Sequence, residues 1–587
     1  MNSKKSVKRF KLKTVASVAV VTICLLSFNN CSGKFSSVGS SLGASSNSSS
    51  GTIPNLNATC SSGSIAIPDG ISNSTSTISS AIANLPTAPQ TFNTTYAPPT
   101  GKFINVPAGG NFQAALNNAQ LGDTIVLQAG ATYIGPFTLP DKTNGSGWIY
   151  VVPSNYNSLP PPGTRVSPSD FLNMPKIVAP ADSSAIVTVD DSNYFRFVGI
   201  EFAPEPDVFD YEVIAIGNQD TSTATLANNI VFDRCYIHGD PTTGGRRGVE
   251  MDGAYIAVID SYISDFQESE TDNQGLWAYN TTGPLKIVDD YIEAASENVL
   301  FGGADSKAPS LVPSDIDIEN NYFYKPLSLI GTDYNVKNLL EFKAAKRVLV
   351  SGNIFENNPN AAQDGFALLI TPRNQGGTAP WSTTTDIAIV DNTFINVGQG
   401  LNIAGFDSRY ISSYITTNPG VMSQRVLVRD NLIEVTGLNH ADGRAFQFTD
   451  GGSDYTVDHN TIINTANSGI SDIAMSESPL SPITNFVFTN NLASPTNYGF
   501  NGSGVGSGTA ALNAYFSNWV FVNNALTVGV PANYPTGNFF PATVSDISFT
   551  DYAGGNFSLA TTSTYNNAGT DGKDIGATLS YSNCIGN

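Results

Sequence analysis

The chain has 587 residues and a formal charge of −21, yet only 13% of its residues are charged, and it carries 53 Gly and three His. With 41% hydrophobic and 10% aromatic residues it is not a disordered chain, and its acidic balance excludes nucleic acid as a partner. Five Cys over this length exclude a disulfide-built scaffold, while low charge with abundant Gly, Asn, Ser and Thr favours many short strands and turns.

Lys4, Lys5, Lys8, Arg9, Lys11 and Lys13 precede an apolar run from Val15 to Leu26, followed by Ser27-Phe28-Asn29-Asn30-Cys31. Residues 1–30 therefore read as an export signal, too short for a comfortable membrane span. The Cys directly after the run resembles a bacterial lipoprotein signal. That resemblance implies Cys31 as the lipidated new N-terminus, a membrane partner through that lipid and, with Ser32 next, the outer membrane. Phe28-Asn29-Asn30 are bulkier or more polar than the usual small residues, so a plain secretory signal is the alternative. Loss of residues 1–30 removes six positive charges and no negative ones, which leaves −27. Residues 31–100 are rich in Ser, Asn, Gly and Pro without an apolar period and predict a flexible tether. Cys60 lies within it, and Cys584 is its candidate partner.

The body repeats. A pattern of two alternating apolar residues, two polar or small residues, usually including Asn, and then an apolar residue begins at Ile230, Ile256, Leu285, Ile316, Val348, Ile387, Val426, Tyr455, Phe486 and Trp519. The intervals run from 26 to 39 residues, as expected of stacked coils with loop insertions. Seven copies carry Asn at the sixth position: Asn321, Asn353, Asn392, Asn431, Asn460, Asn491 and Asn524. Each amide can bond to its neighbour in the next coil, which predicts a structural ladder. A second short strand in each period points Val249, Leu276, Val299, Leu340, Leu401 and Phe446 inward. It points Glu250, Trp277, Leu300, Glu341, Asn402 and Gln447 outward. Three strands per coil of about 30 residues give an all-β parallel helix of about eleven or more coils, roughly 50 Å long.

Phe112-Gln113-Ala114-Ala115-Leu116-Asn117-Asn118-Ala119, then Gly122-Asp123-Thr124-Ile125-Val126-Leu127 and Gly130-Ala131-Thr132-Tyr133, resemble the capping helix and first coil of pectate-lyase-like proteins. Asn556-Phe557-Ser558-Leu559 and Gly569 to Gly576 resemble their closing segment. The resemblance implies a right-handed parallel β-helix over residues 101–577, a short N-terminal capping helix and a tail at 578–587. It also implies a glycan lying along an outward strand face between the longer loops. Here the insertions at 238–247, 264–274, 302–315, 324–338, 372–386 and 404–424 flank strands bearing Glu250, Asp252, Trp277, Tyr279, Glu341 and Lys343. A wall of acids and aromatics that stacks on sugar rings is expected, with Trp277, Tyr279, Gln363, Asn402 and Gln447 as candidate substrate contacts.

Two constellations carry chemistry. Glu341 and Lys343 share a strand face, with Arg373 and Gln363 in the following coil. Cleavage of a uronate by β-elimination needs a base, commonly Lys or Arg in the resembled fold, and a cation for the carboxylate. Lys343 is the base candidate, with Glu341 and Arg373 beside it; a surface ion pair is the plain alternative. Glu250, Asp252, Asp265 and Asp272, near Glu268 and Glu270, are candidate oxygen ligands for Ca2+, or the acid and base of a glycoside hydrolase. The Asp-Asp dipeptides at 190–191 and 289–290 lack the companions of the hydrolase branch. The sequence thus points to a surface-anchored rod that binds and cleaves polysaccharide, foremost as a uronate lyase. The alternatives are a non-catalytic glycan-binding or adhesive lipoprotein and a hydrolase.

Overall fold

The structure, a computed structural model, describes residues 82–217, 220–407, 420–466, 469–473, 482–527 and 529–578. The signal segment, Cys31 and the Cys60–Cys584 pair lie outside the described residues. From Phe103 onward each turn of chain lays down one strand in each of three sheets, of 14, 13 and 13 strands, parallel throughout except where Gly506–Ser507 folds back antiparallel on Gly499–Gly502 at the end of the third. One coil runs Ser314–Glu319 in the first sheet, Tyr322–Tyr324 in the second and Leu340–Phe342 in the third, before Ala345–Ser351 returns to the first. This is the right-handed parallel β-helix expected, as right-twisted strands joined by short turns wind one way.

The register explains the repeat. Val249, Leu276, Val299, Leu340, Leu368, Leu401 and Phe446 stack in one inward column of the third sheet. Phe323, Phe355 and Phe394 stack face to face in the second sheet, with ring centroids 4.6 and 4.7 Å apart. Strands buried on both faces need apolar runs, and inward β-branched and aromatic residues supply them.

At the sharp turn between the first and second sheets, Asn321 Nδ2 donates to Asn353 Oδ1 at 3.0 Å, and Asn353 to Asn392 at 2.9 Å. Asn431, Asn460 and Asn491 continue the series, and Asn524 passes it on to Asn538. The residue before each ladder Asn is left-handed, as at Asn320, Asp391, Asp430, His459 and Asn490, which is why two polar residues adjoin there. The ladder reaches further back than its asparagines: Cys235 N–H donates to Ser261 Oγ, Ser261 N–H to Asp290 Oδ1 and Asp290 N–H to Asn321 Oδ1. Asp290 of the second Asp-Asp dipeptide is thus a ladder member.

Both ends of the core are closed. The helix Phe112–Asn118 turns Phe112, Ala115 and Leu116 onto the first coil, with the Asn111 side chain accepting from the Ala114 amide. At its other end Lys142 Nζ donates to the carbonyls of Leu116, Asn117 and Ala119, which have no partners within the helix. At the far end the helix Thr509–Tyr515 buries Ala511 and Leu512 against the last coils.

The last part of the expected tether does not hang free. From residue 82 the chain runs back along the outside of the first sheet, opposite to the direction in which coils are added. The amides of Asn84, Thr87 and Gln90 each donate to a carboxylate, those of Asp454, Asp386 and Asp315, at 2.9 Å. These aspartates hold left-handed positions two coils apart, and Arg347 and Arg425 occupy the coils between, paired to Asp315 and Asp386. Leu85 packs on Leu349, Ala388, Val390 and Leu427, and Phe92 on Val231, Ala257 and Ile259. Arg196, buried, donates to Thr94 O and through two nitrogens to Asp233 Oδ2. The composition that reads as a linker thus covers an apolar sheet face that only stacking creates.

Candidate functional site

The outward column of the third sheet is Glu250, Trp277, Leu300, Glu341, Leu369, Asn402 and Gln447 in successive coils. Asp252, Tyr279 and Lys343 lie two residues on along their strands, on the same face. Glu250 and Glu341 are three coils apart, roughly 14 Å at the interstrand spacing. The face therefore holds two separate polar groups.

The first group surrounds Glu250. Its carboxyl shares hydrogen bonds with Glu212 and Asp252; burial, then the charges of Asp252 and Glu212, push it far above the usual carboxyl range. Burial also raises Asp252, against the Tyr279 and Asn280 amides that both donate to its Oδ1. Arg247 Nη1 binds Glu212 Oε1 at 2.6 Å, and its guanidinium lies 3.7 Å from the centroid of the Trp277 ring. Trp277 stacks on Tyr279 at 4.6 Å and donates its indole N–H to Gly302 O. Both rings point outward as expected, but they are not an open wall. They are only 7% and 4% exposed, because residues 302–308 fold over them: Ser306 Oγ donates to Tyr279 O, and the Lys307 amide to Asn280 Oδ1.

The second group surrounds Glu341. Asn338 Nδ2 donates to its Oε2 and Thr371 Oγ1 to its Oε1, both at 2.9 Å, and Lys343 Nζ lies 3.3 Å from Oε2. Both charges are buried, so the pair is no solvated surface bridge. Glu297 lies on the same face, fully buried, with Gln274 Nε2 donating to its Oε2 at 2.7 Å. Burial raises its carboxyl, and Lys343 followed by Lys337 pulls it back. Lys337 Nζ sits 2.5 Å from Asp272 Oδ2 and 3.6 Å from Glu297 Oε1. Although burial opposes its charge, Glu297 and Asp272 hold the Lys337 ammonium above its ordinary range. The turn before Glu297 is pinned by Lys325, whose Nζ donates to the carbonyls of Ala294, Ala295 and Ser296 and to Asn298 Oδ1. Burial draws the Lys325 ammonium down to about 7.

Other expected residues lie around these groups. The Arg373 amide donates to Lys343 O, while its guanidinium binds Asp407 one coil on. Gln363 sits in the turn 357–365, joined to the Lys337 loop where the Ala362 amide donates to Val336 O. Gln447 Nε2 donates to Asn402 Oδ1 at 3.4 Å, and Arg444 Nη1 donates to Gln447 Oε1 at 3.2 Å.

The four carboxylates expected to share Ca2+ do not converge. Asp265 stands at a left-handed bulge ending the second-sheet strand Tyr262–Phe266, accepting from Ser264 Oγ, and Asp272 is held by Lys337 and Asn335. Only Glu250 and Asp252 meet, and among the described residues no three His, Cys, Asp or Glu are placed to hold a metal ion. Nor do those two form a hydrolase dyad: they touch, whereas such carboxyls stand about 5–9.5 Å apart. Glu212, Glu297 and Lys337 escaped the sequence reading. Glu297 opens the strand Glu297–Phe301 ahead of the Val299–Leu300 alternation that makes it legible, and Lys337 lies in the insertion 324–338, where no alternation marks it.

Fold and face together define a right-handed parallel β-helix protein with a buried polar face on its third sheet. No family model and no curated protein matches the chain. Among solved structures it is similar to a pectate lyase, at 15% identity and TM-score 0.35, covering 81% of this chain and 96% of that one. It is also similar to a mannuronic-acid-specific family 6 polysaccharide lyase from human gut microbiota, at 14% identity and TM-score 0.45, covering 75% and 91%. An alginate lyase of the PL6 family matches at 14% and TM-score 0.44, with 82% of this chain covering 57% of that one. These likenesses concern the fold alone.

Proposed function

We propose that the third-sheet face binds an anionic polysaccharide and cleaves it by β-elimination, with Lys343 as the base. The observation that carries this reading is the buried Lys343–Glu341 pair, with Arg373 bonded through its backbone to Lys343 one coil on. In the step, Lys343 Nζ takes the C5 proton of a uronate and the C5–H electron pair becomes the C4–C5 double bond. The C4–O4 bond breaks, and the leaving oxygen takes a proton from water. The cations on this face neutralise the substrate carboxylate, which makes the C5 proton removable.

Incubation with a panel of uronate polysaccharides, read by the absorbance of the unsaturated product, tests the reading. No such product on any substrate rejects it, and undiminished activity in Lys343→Ala rejects the assigned base. The covering of Trp277 and Tyr279 favours one second reading, a rod that binds glycan without turnover. It predicts saturable binding on a glycan array with no new chain ends. Display on lipid at Cys31 belongs to the same proposal, and a Cys31→Ser protein recovered from membranes unchanged would remove it.

A further inference from the structure

The acids of the second polar group pose a physical problem. Asp272, Glu297 and Glu341 come from three coils, and Glu297 is wholly buried, with an Oε1 that receives no hydrogen bond. An oxygen of this kind demands a cation. Oxygen-rich groups of carboxylates and amides, here with Gln274 and Asn335 beside the acids, commonly meet that demand with a divalent ion.

We propose that the Lys337 ammonium is the resident cation of this face and stands where a divalent ion would otherwise hold Asp272 and Glu297 together. Its Nζ lies between them, at 2.5 Å from Asp272 Oδ2 and 3.6 Å from Glu297 Oε1. The charges then alternate along the row as Asp272, Lys337, Glu297, Lys343 and Glu341, so that each acid has a cation beside it.

The lysine does not reach this place by chance of its side-chain rotamer. Its own amide donates to Ala295 O, and the Asn335 amide to Glu268 O. The Ser296 hydroxyl donates to Asn335 O, and Val336 beside it is buried with Ala295 and Leu329. The loop is pinned on both sides of Lys337, and the ammonium is delivered to a fixed point. A fixed charge there repels a metal ion and occupies its place. The inference deepens the reading of this face as the working one, but its experiment detects ion binding rather than turnover, so either can fail alone.

Thermal melting with added Ca2+, and luminescence of Tb3+ as a Ca2+ surrogate, make the test. The wild-type protein should show neither a Ca2+-dependent rise in Tm nor a Tb3+ signal that depends on Glu297. Lys337→Ala, and the closer-sized Lys337→Gln, should gain both, because removing a like charge from an ion's site is worth on the order of a hundredfold in affinity. Adding Glu297→Gln to either variant should abolish the gain. A variant that folds only with Ca2+ supports the inference equally. A wild-type signal lost in Glu297→Gln overturns it, as do folded Lys337 variants with no gain. If neither variant folds, the wild-type measurement alone decides.

Discussion

Two outer faces of the same rod are covered in opposite ways. The first sheet is covered by the chain's own residues 82–97, and the cover is apolar side chains plus backbone amides set on a row of alternating Asp and Arg. The third sheet is covered by its inter-strand loops, and beneath them lie Glu250, Asp252, Glu297, Glu341 and Lys343, all buried. Burying apolar surface stabilises a fold directly, whereas burying ions costs free energy unless each is matched. The first face buries one ionic cluster, Arg196 and Arg234 on Asp233, and there each charge is paired and Arg196 also holds Thr94; the rest of its cover is apolar packing that holds a shape. The second is a costly arrangement with no structural need, since the repeats flanking it use Leu369 and Ala404 at equivalent outward positions. That contrast is the physical reason to place function on the third sheet.

The comparison can be broken at several points. The largest effect is expected at Lys343→Ala, which should lower turnover on a cleaved uronate polysaccharide about 10²- to 10⁴-fold, measured by product absorbance. A fall confined to KM would instead make Lys343 a binding residue. On the opposite face, Arg196→Met leaves Thr94 O without its donor and Asp233 with Arg234 as its remaining buried partner, and should cost about 3 kcal/mol in urea unfolding. Asp386→Ala removes the acceptor of the Thr87 amide and the partner of Arg425, a loss of about 1.5–3 kcal/mol. It should appear first as faster hydrogen exchange at residues 84–90, and unchanged exchange would mean that the aspartate row does not hold this segment.

The smallest effect sharpens the contrast through pH. The Glu250 carboxyl is raised in the folded protein by burial and by Asp252 and Glu212, so the folded state keeps a proton that the unfolded chain gives up. Its stabilising contribution is complete below the ordinary carboxyl range and is lost as pH rises through the raised folded value. Glu250→Gln mimics the protonated form, so the variant should lose less Tm than the wild type between mildly acid and alkaline buffer. Parallel Tm curves would show that Glu250 ionises as freely folded as unfolded.

The sequence displayed the rod because each coil repeats the same local demands: inward apolar alternation, a left-handed residue and a ladder amide. Even so, Asp290 was hidden, since an aspartate accepts the same bond as the asparagine that defines the pattern. The third-sheet face was legible as far as strand alternation reaches, to Glu250, Trp277, Glu341 and Lys343. Lys337 was not, because its partner Asp272 lies far back in the sequence and only coil stacking joins the two loops. Trp277 and Tyr279 were placed on the right side, but alternation cannot reveal a loop that folds over them. Residues 82–97 have the composition of a linker, and their partner surface exists only once ten coils have stacked.

The bonds at Asn84, Thr87 and Gln90 recur every three residues, while their acceptors recur every two coils. Three residues of a polyproline-type chain rise about 9.3 Å, and two coils rise about 9.4–9.8 Å. The segment is therefore a graduated scale laid against the rod. Gaining or losing a single coil between Asp315 and Asp454 would bring an Arg where an acceptor is required, and every mark beyond it would miss. A pair of coils could be gained together with three residues of the scale and leave every mark aligned. The repeat count of this protein is thereby gauged by its own N-terminal chain, which tolerates growth in even steps.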